Sequence, residues 1–185
     1  MNRRNMISIY TPSNTAPDIL ETILVQREQL LDRIVDRLAR SMTSGDKHHI
    51  LLVGPRGSGK TFLTCLTEHR LQIRPELKDH MRIAWLAEDE VITSLLDLAM
   101  AIADQLACEY PGEFEADYRA AIRGLDPTEA EDVVFKRILD QLGTRNLLLL
   151  TENLNYTLHR IGDMGRKRLR AFYQEHQQIA TLATS

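Results

Sequence analysis

The stretch Gly54-Pro55-Arg56-Gly57-Ser58-Gly59-Lys60-Thr61 constrains this chain more than any other. It lies between a short apolar run, His49 to Val53, and a segment with helical apolar spacing, Thr61 to Leu71. A glycine-rich loop between a strand and a helix gathers several backbone N–H groups onto one concave point, and the free N–H groups and dipole of the helix N-terminus add to it. Gly57 and Gly59 allow backbone angles and a close approach that side chains would block. The ligand implied is a chain of anionic oxygens, and the pattern predicts ATP with Mg²⁺ on residues Gly54 to Phe62. Lys60 is expected on the β- and γ-phosphates and the Thr61 hydroxyl on the metal. No Asn-Lys-x-Asp signature for guanine is present.

Around that loop the pattern alternates. Residues 1–18, with Pro12 and Pro17, form an irregular arm, and residues 19–185 form one core. Helical periodicity runs from Arg27 through Leu30, Leu31, Ile34, Val35 and Leu38, and again over Val91 to Leu106. Asp126-Pro127-Thr128-Glu129 starts another helix, which stops at Gly143, and Asp163 to His176 is a further one. His49–Val53, Met81–Leu86, Leu147–Leu150 and Ile179–Ala183 are predicted strands, the first of them buried. Glu88-Asp89-Glu90 is expected to open the helix that follows it, and 108–125 to be loop with some helix. Strands alternating with helices predict an α/β fold with a mainly parallel sheet.

A phosphate loop that hydrolyses its ligand needs an acid at the end of a neighbouring strand. The candidate is Asn146-Leu147-Leu148-Leu149-Leu150-Thr151-Glu152-Asn153. Glu152 is expected to activate water and to share the metal with Thr61. Thr151 occupies the place where an aspartate usually stands, and a neutral hydroxyl is a weaker partner for hydrated Mg²⁺ than a carboxylate. The strand ending Ala183-Thr184-Ser185 supplies Thr184, or Ser185, as a polar tip to position the attacking water.

With the Gln26-Arg27-Glu28 helix, the loop 54–61, the strand 147–152 and the strand ending Thr184-Ser185 in this order, the chain resembles the AAA+ superfamily, in its replication-initiator-like and STAND-like bacterial branches. The resemblance covers about residues 20–185. It implies a P-loop three-layer sandwich with strand order 5-1-4-3-2, of which 1-4-3-2 are present. A fifth strand, an arginine finger, a lid and a sensor arginine would lie beyond Ser185, so the expectation is a partial module.

Composition limits the partners. A formal charge of −3 over 185 residues gives no general affinity for nucleic acid, although a local cationic face is compatible with it. Arg160, Arg166, Lys167, Arg168 and Arg170 form such a cluster, while Tyr156, Phe172 and Tyr173 beside it are expected in the core. No apolar run reaches the roughly 20 residues of a membrane helix. Cys65 and Cys108 are expected as buried thiols, which suits a cytoplasmic protein. The six histidines show no zinc-ligand spacing. Three functions follow: an ATPase coupling nucleotide state to a protein partner, to self-association or to nucleic acid; a nucleotide-binding switch with negligible turnover; and a small-molecule kinase, for which no arginine-rich lid is evident.

Overall fold

A computed structural model describes residues 15–185 except 25, 45, 88–90 and 116. The N-terminal stretch to residue 14 and the acidic run Glu88 to Glu90 therefore lie outside the described residues. Four parallel strands form one sheet in the order β1-β4-β3-β2. They are β1 (His49–Leu52), β2 (Met81–Leu86), β3 (Asn146–Thr151) and β4 (Ile179–Thr184). The helices are α1 (Pro17–Ile23), α2 (Glu28–Thr43), α3 (Lys60–Gln72), α4 (Leu95–Glu109), α5 (Pro127–Leu142), α6 (Leu154–Arg160) and α7 (Gly162–Glu175). This is the predicted α/β sandwich with the predicted strand order.

The inner strands β3 and β4 are apolar on both faces, because helices cover both sides of a parallel sheet. On one face Leu20, Leu31, Leu38 and Leu66 pack on Ile83, Leu148, Leu150 and Leu182. On the other, Leu98, Ile102, Leu106, Val134, Ile138 and Leu169 pack on Ala84, Leu147, Leu149 and Ile179. Pairing Leu52 with Thr184, Thr151 with Ala183 and Leu86 with Thr151 brings the carboxyl ends of all four strands level.

Several expectations are corrected. β1 is not buried: it is an edge strand of the described sheet, and its Leu51 is half exposed. The helix expected from Val91 begins at Leu95, since Ser94 caps it and Asp97 closes a reciprocal capping box, leaving Ile92 buried but non-helical. Helicity expected from Arg27 begins at Glu28, with Arg27 as the N-cap. Helices α1 and α6 lie outside the expected elements; each has only 7 residues, too few for a periodic signal.

The segment after α4 closes the outer edge of β2. The Tyr110 hydroxyl accepts the Ile83 N–H at 3.0 Å, and Glu113 takes Arg82 at 2.7 Å and Arg145 at 2.5 Å. Such cover answers the exposed donors of an edge strand. Phe114 and Tyr118 from the same segment enter the core. Cys108 is exposed near the end of α4, against expectation, because the apolar stripe of that helix ends at Leu106. Tyr156 is 64% exposed rather than in the core, since short α6 turns only Thr157 inward.

Charges fasten the helical layers. On one face Arg70 of α3 donates to both oxygens of Glu21 on α1 at 2.7 Å and to Asp32 on α2 at 2.6 Å. The Arg70 guanidinium holds the Glu21 carboxyl below the usual range. On the other face Arg168 of α7 lies 2.8 Å from Glu131 and 2.9 Å from Asp132, both on α5. Glu131 is buried, and that burial raises its carboxyl against the pull of Arg168. Arg168→Ala leaves that carboxylate without its cation, and we expect a loss of about 2–3 kcal/mol at neutral pH. Urea denaturation should show the deficit shrinking as the pH falls and Glu131 takes a proton, and shrinking likewise when Glu131→Gln is added.

Candidate nucleotide site

The level strand ends place the expected site residues along one edge of the sheet, where ligands of open parallel sheets bind. The chain leaves β1, crosses Val53 to Ser58, and enters α3 at Lys60. Gly57 and Gly59 both sit in the left-handed region, at φ 80 and 81. A Cβ at Gly54 would meet the Ser58 hydroxyl oxygen at 2.9 Å. Ser58 N–H closes the turn onto the Pro55 carbonyl at 3.1 Å. Lys60 folds its amine back across the loop, donating to the Gly54 carbonyl at 2.7 Å and the Pro55 carbonyl at 3.2 Å. Thr61 follows in the first turn of α3, and Phe62 lies half-buried against the core behind it.

At the end of β3, Thr151 is buried and Glu152 half-buried. The Glu152 N–H donates to the Leu86 carbonyl at 3.1 Å, and Asn153 adopts φ 50, ψ 46 as it starts α6. Asn153 N–H donates to the Thr184 hydroxyl at 3.1 Å, and Ser185 N–H to the Leu52 carbonyl at 3.0 Å. A lateral run of hydrogen bonds thus joins β1 to β4, β4 to β3 and β3 to β2 at their tips. Thr184 is 2% exposed, so its hydroxyl serves the 152–153 turn directly.

Glu152 also acts on α3. Burial pushes the Cys65 thiol, in the second turn of that helix, up to about 12, and the charges of Glu68 and Glu152 add to the shift. A cavity of about 190 Å³ opens between the ends of β2 and β3, lined among others by Thr151, Glu152, Tyr156 and Arg160. No residue of the loop 54–61 lines it.

A family model described as the AAA ATPase domain matches residues 23–184. The chain belongs to this family. The AAA ATPase domain also resembles solved structures. One is the ORC2 protein of Aeropyrum pernix in ADPNP-ADP complexes, with TM-score 0.66 and 19% identity over 88% of this chain. Another is the ORC1 protein of the same organism in complex with DNA, with TM-score 0.64 and 19% identity over 91% of this chain. The chain spans 41% of the length of each of these proteins. Identity this low carries the fold alone. Among curated proteins none matches.

Part of what makes this AAA ATPase domain's site was not legible from patterns. Arg27 donates from Nη1 to the Ser58 carbonyl inside the phosphate loop. The only sequence signal was its place in Gln26-Arg27-Glu28, before the first strand. The cationic cluster is smaller than its residue count suggests. Arg168 is committed to α5, and Arg166 to Asp163 and the Leu158 carbonyl, leaving Arg160, Lys167 and Arg170 as exposed cations that form no ion pair with another described residue.

Glu68, one turn beyond Cys65, is raised from 4.5 to about 7 by burial, with the Glu109 charge adding. The folded chain therefore keeps a proton between those values that the unfolded chain releases, and stability falls as pH rises through the window. Glu68→Gln removes the penalty. It should be more stable than the wild type at pH 8 by on the order of 1–2 kcal/mol and equal to it near pH 4 in urea denaturation.

Proposed function

We propose that this domain binds ATP with Mg²⁺ on Gly54 to Phe62 and hydrolyses it, with Glu152 polarising the attacking water. The observation that carries the reading is the loop itself: two left-handed glycines leading into the N-terminus of α3, with the Lys60 amine folded onto carbonyls it can exchange for phosphate oxygens. The Thr61 hydroxyl is the hard oxygen donor suited to Mg²⁺, and Glu152 is the carboxylate that would share it. When bound, the metal neutralises charge on the phosphate oxygens.

The chain's own residues divide the work. Backbone N–H groups of the loop and Lys60 bind the phosphates and offset charge that builds on them. Glu152 orients water and accepts its proton. Thr184 holds Asn153, and through it the turn that carries Glu152. Nucleotide state would pass to a partner along the same strand tips. For that partner a nucleic acid is favoured by exposed Arg160, Lys167 and Arg170, and by the DNA complex in which the ORC1 protein was solved. Self-association or a protein partner remains the alternative for that surface.

A second reading, a nucleotide-binding switch with negligible turnover, is supported by the neutral, buried Thr151 where an acid is expected. Brisk phosphate release by the 185-residue chain would exclude it.

Turnover and affinity separate the roles. Lys60→Ala should weaken ATP binding at least about tenfold. Glu152→Gln should keep binding while losing about 100-fold or more in rate. Thr184→Val should slow turnover with affinity kept, and Thr184→Ser should restore it. Phosphate-release rates unaltered by the Lys60 and Glu152 changes would remove both assignments.

A further inference from the structure

The phosphate loop is held from behind by a residue that the ATP reading leaves without a task. Arg27 is the N-cap of α2, at φ −121, ψ 8, and it follows Gln26 at φ 64. Gln26 is exposed and not a glycine, so the chain adopts a disfavoured left-handed turn at the point where it delivers Arg27. From there Nη1 donates to the Ser58 carbonyl, and the same nitrogen lies 3.4 Å from where a Cβ of Gly59 would stand. None of the ion pairs between described residues uses Arg27.

A trans peptide points its carbonyl and its N–H in opposite directions. With the Ser58 carbonyl turned out onto Arg27, the N–H of Gly59 faces the other way. Ser58 stands between two glycines, Gly57 and Gly59, whose backbones cross between positive and negative φ at little cost. A peptide so placed flips readily, and a flipped one would present a carbonyl oxygen to the phosphates. The cation behind the carbonyl opposes that flip. It also polarises the peptide, which strengthens the N–H donor on the opposite side.

Resting on the ATP reading, we propose that Arg27 is a positioning residue for the nucleotide. It fixes the Ser58–Gly59 peptide with the Gly59 N–H offered to phosphate. Through the same bond it ties phosphate occupancy to the turn between α1 and α2. The arginine acts through the loop backbone, so it serves any ligand with a polyphosphate, with or without a base.

The test compares wild type, Arg27→Met, which keeps much of the apolar stem, and Arg27→Lys, which keeps a charge. Displacement of a fluorescent ADP by ATP, ADP and inorganic tripolyphosphate, each with Mg²⁺, gives three affinities per protein. Thermal melting without ligand shows that each variant folds. Arg27→Met should lose roughly tenfold in affinity for all three ligands alike, and Arg27→Lys less. Amide exchange adds a readout that a mere tether would not move. The N–H groups of Leu30 and Leu31 bond the Arg27 carbonyl at 3.1 and 2.9 Å. ATP should slow their exchange in wild type and leave it unchanged in Arg27→Met.

Equal affinities for wild type and Arg27→Met would overturn the proposal. So would a loss confined to ATP and ADP with tripolyphosphate unaffected, which would mean contact with the base or sugar. If Arg27→Met does not fold, the wild-type exchange decides: no slowing at Leu30 and Leu31 with ATP bound overturns the proposal. A wild type that binds none of the three ligands overturns the ATP reading and this proposal together. Binding abolished by Lys60→Ala but indifferent to Arg27 overturns this proposal alone.

Discussion

The parallel register of four strands is the constraint on which the site depends. Because Leu52, Leu86, Thr151 and Thr184 end in line, a loop leaving β1, an acid leaving β3 and a hydroxyl closing β4 meet at one edge. Slipping β4 by one residue against β3 would turn Ile179, Ala180 and Leu182 to opposite faces and withdraw the Thr184 hydroxyl from Asn153. Because both strands are covered on both faces, apolar content alone does not set the register; Thr181, whose hydroxyl donates to the Tyr173 hydroxyl, and Thr184, which accepts the Asn153 N–H, pin β4 in place. Core packing and site geometry are here one requirement, met by the same residues.

Left-handed turns at non-glycine residues flank the candidate site. Among the described residues the only non-glycines at positive φ are Gln26 and Asn153. One precedes the arginine that reaches the phosphate loop, and the other follows the acid at the end of β3. At Gln26 this costs about 1 kcal/mol or more relative to glycine, whereas asparagine is the non-glycine residue best suited to the region, and strain of the first kind persists only when the surroundings hold it in place. Asn153 is held by the hydroxyl of Thr184, and Arg27 by the carbonyl of Ser58. Both turns are thus held by a hydrogen bond at the edge of the candidate site.

What could be seen in the sequence followed the strength of local patterns. The loop 54–61 was legible because each position has a local reason, and the four strands because runs such as Leu147 to Leu150 leave few alternatives. Helix α5 announced itself through Asp126, Pro127 and Gly143. The start of α4 was displaced because Ile92 fits a helical stripe, whereas the Ser94–Asp97 capping box decided the boundary. The role of 108–125 was hidden: Tyr110 and Glu113 act on Ile83, Arg82 and Arg145, partners 27 to 32 residues away. Arg27 was hidden for the same reason, its carbonyl partner being 31 residues away. Periodicity detects faces, and it is blind to a single long-range hydrogen bond.

The two helical faces of the sheet are fastened differently, and that difference bears on how nucleotide state could leave the site. On the α1–α3 face Arg70 joins three helices, while Arg74 of the segment after α3 adds Asp36 of α2 at 2.8 Å. The element that begins in the phosphate loop is therefore bound to the N-terminal helices at both ends, by Arg27 near its start and by Arg70 and Arg74 at or just past its end. On the opposite face, among the described residues, Arg168 is the one side chain of α7 in an ion pair with α5, over a groove of about 780 Å³ lined in part by Phe135, Leu139 and Phe172. A change at the Glu152–Asn153 turn enters α6 directly and meets α7 next, across Gly162 at φ 68. The helices tied at both ends of α3 lie behind the loop 54–61, whereas the α5–α7 seam, held in charge terms by one arginine, lies downstream of Glu152.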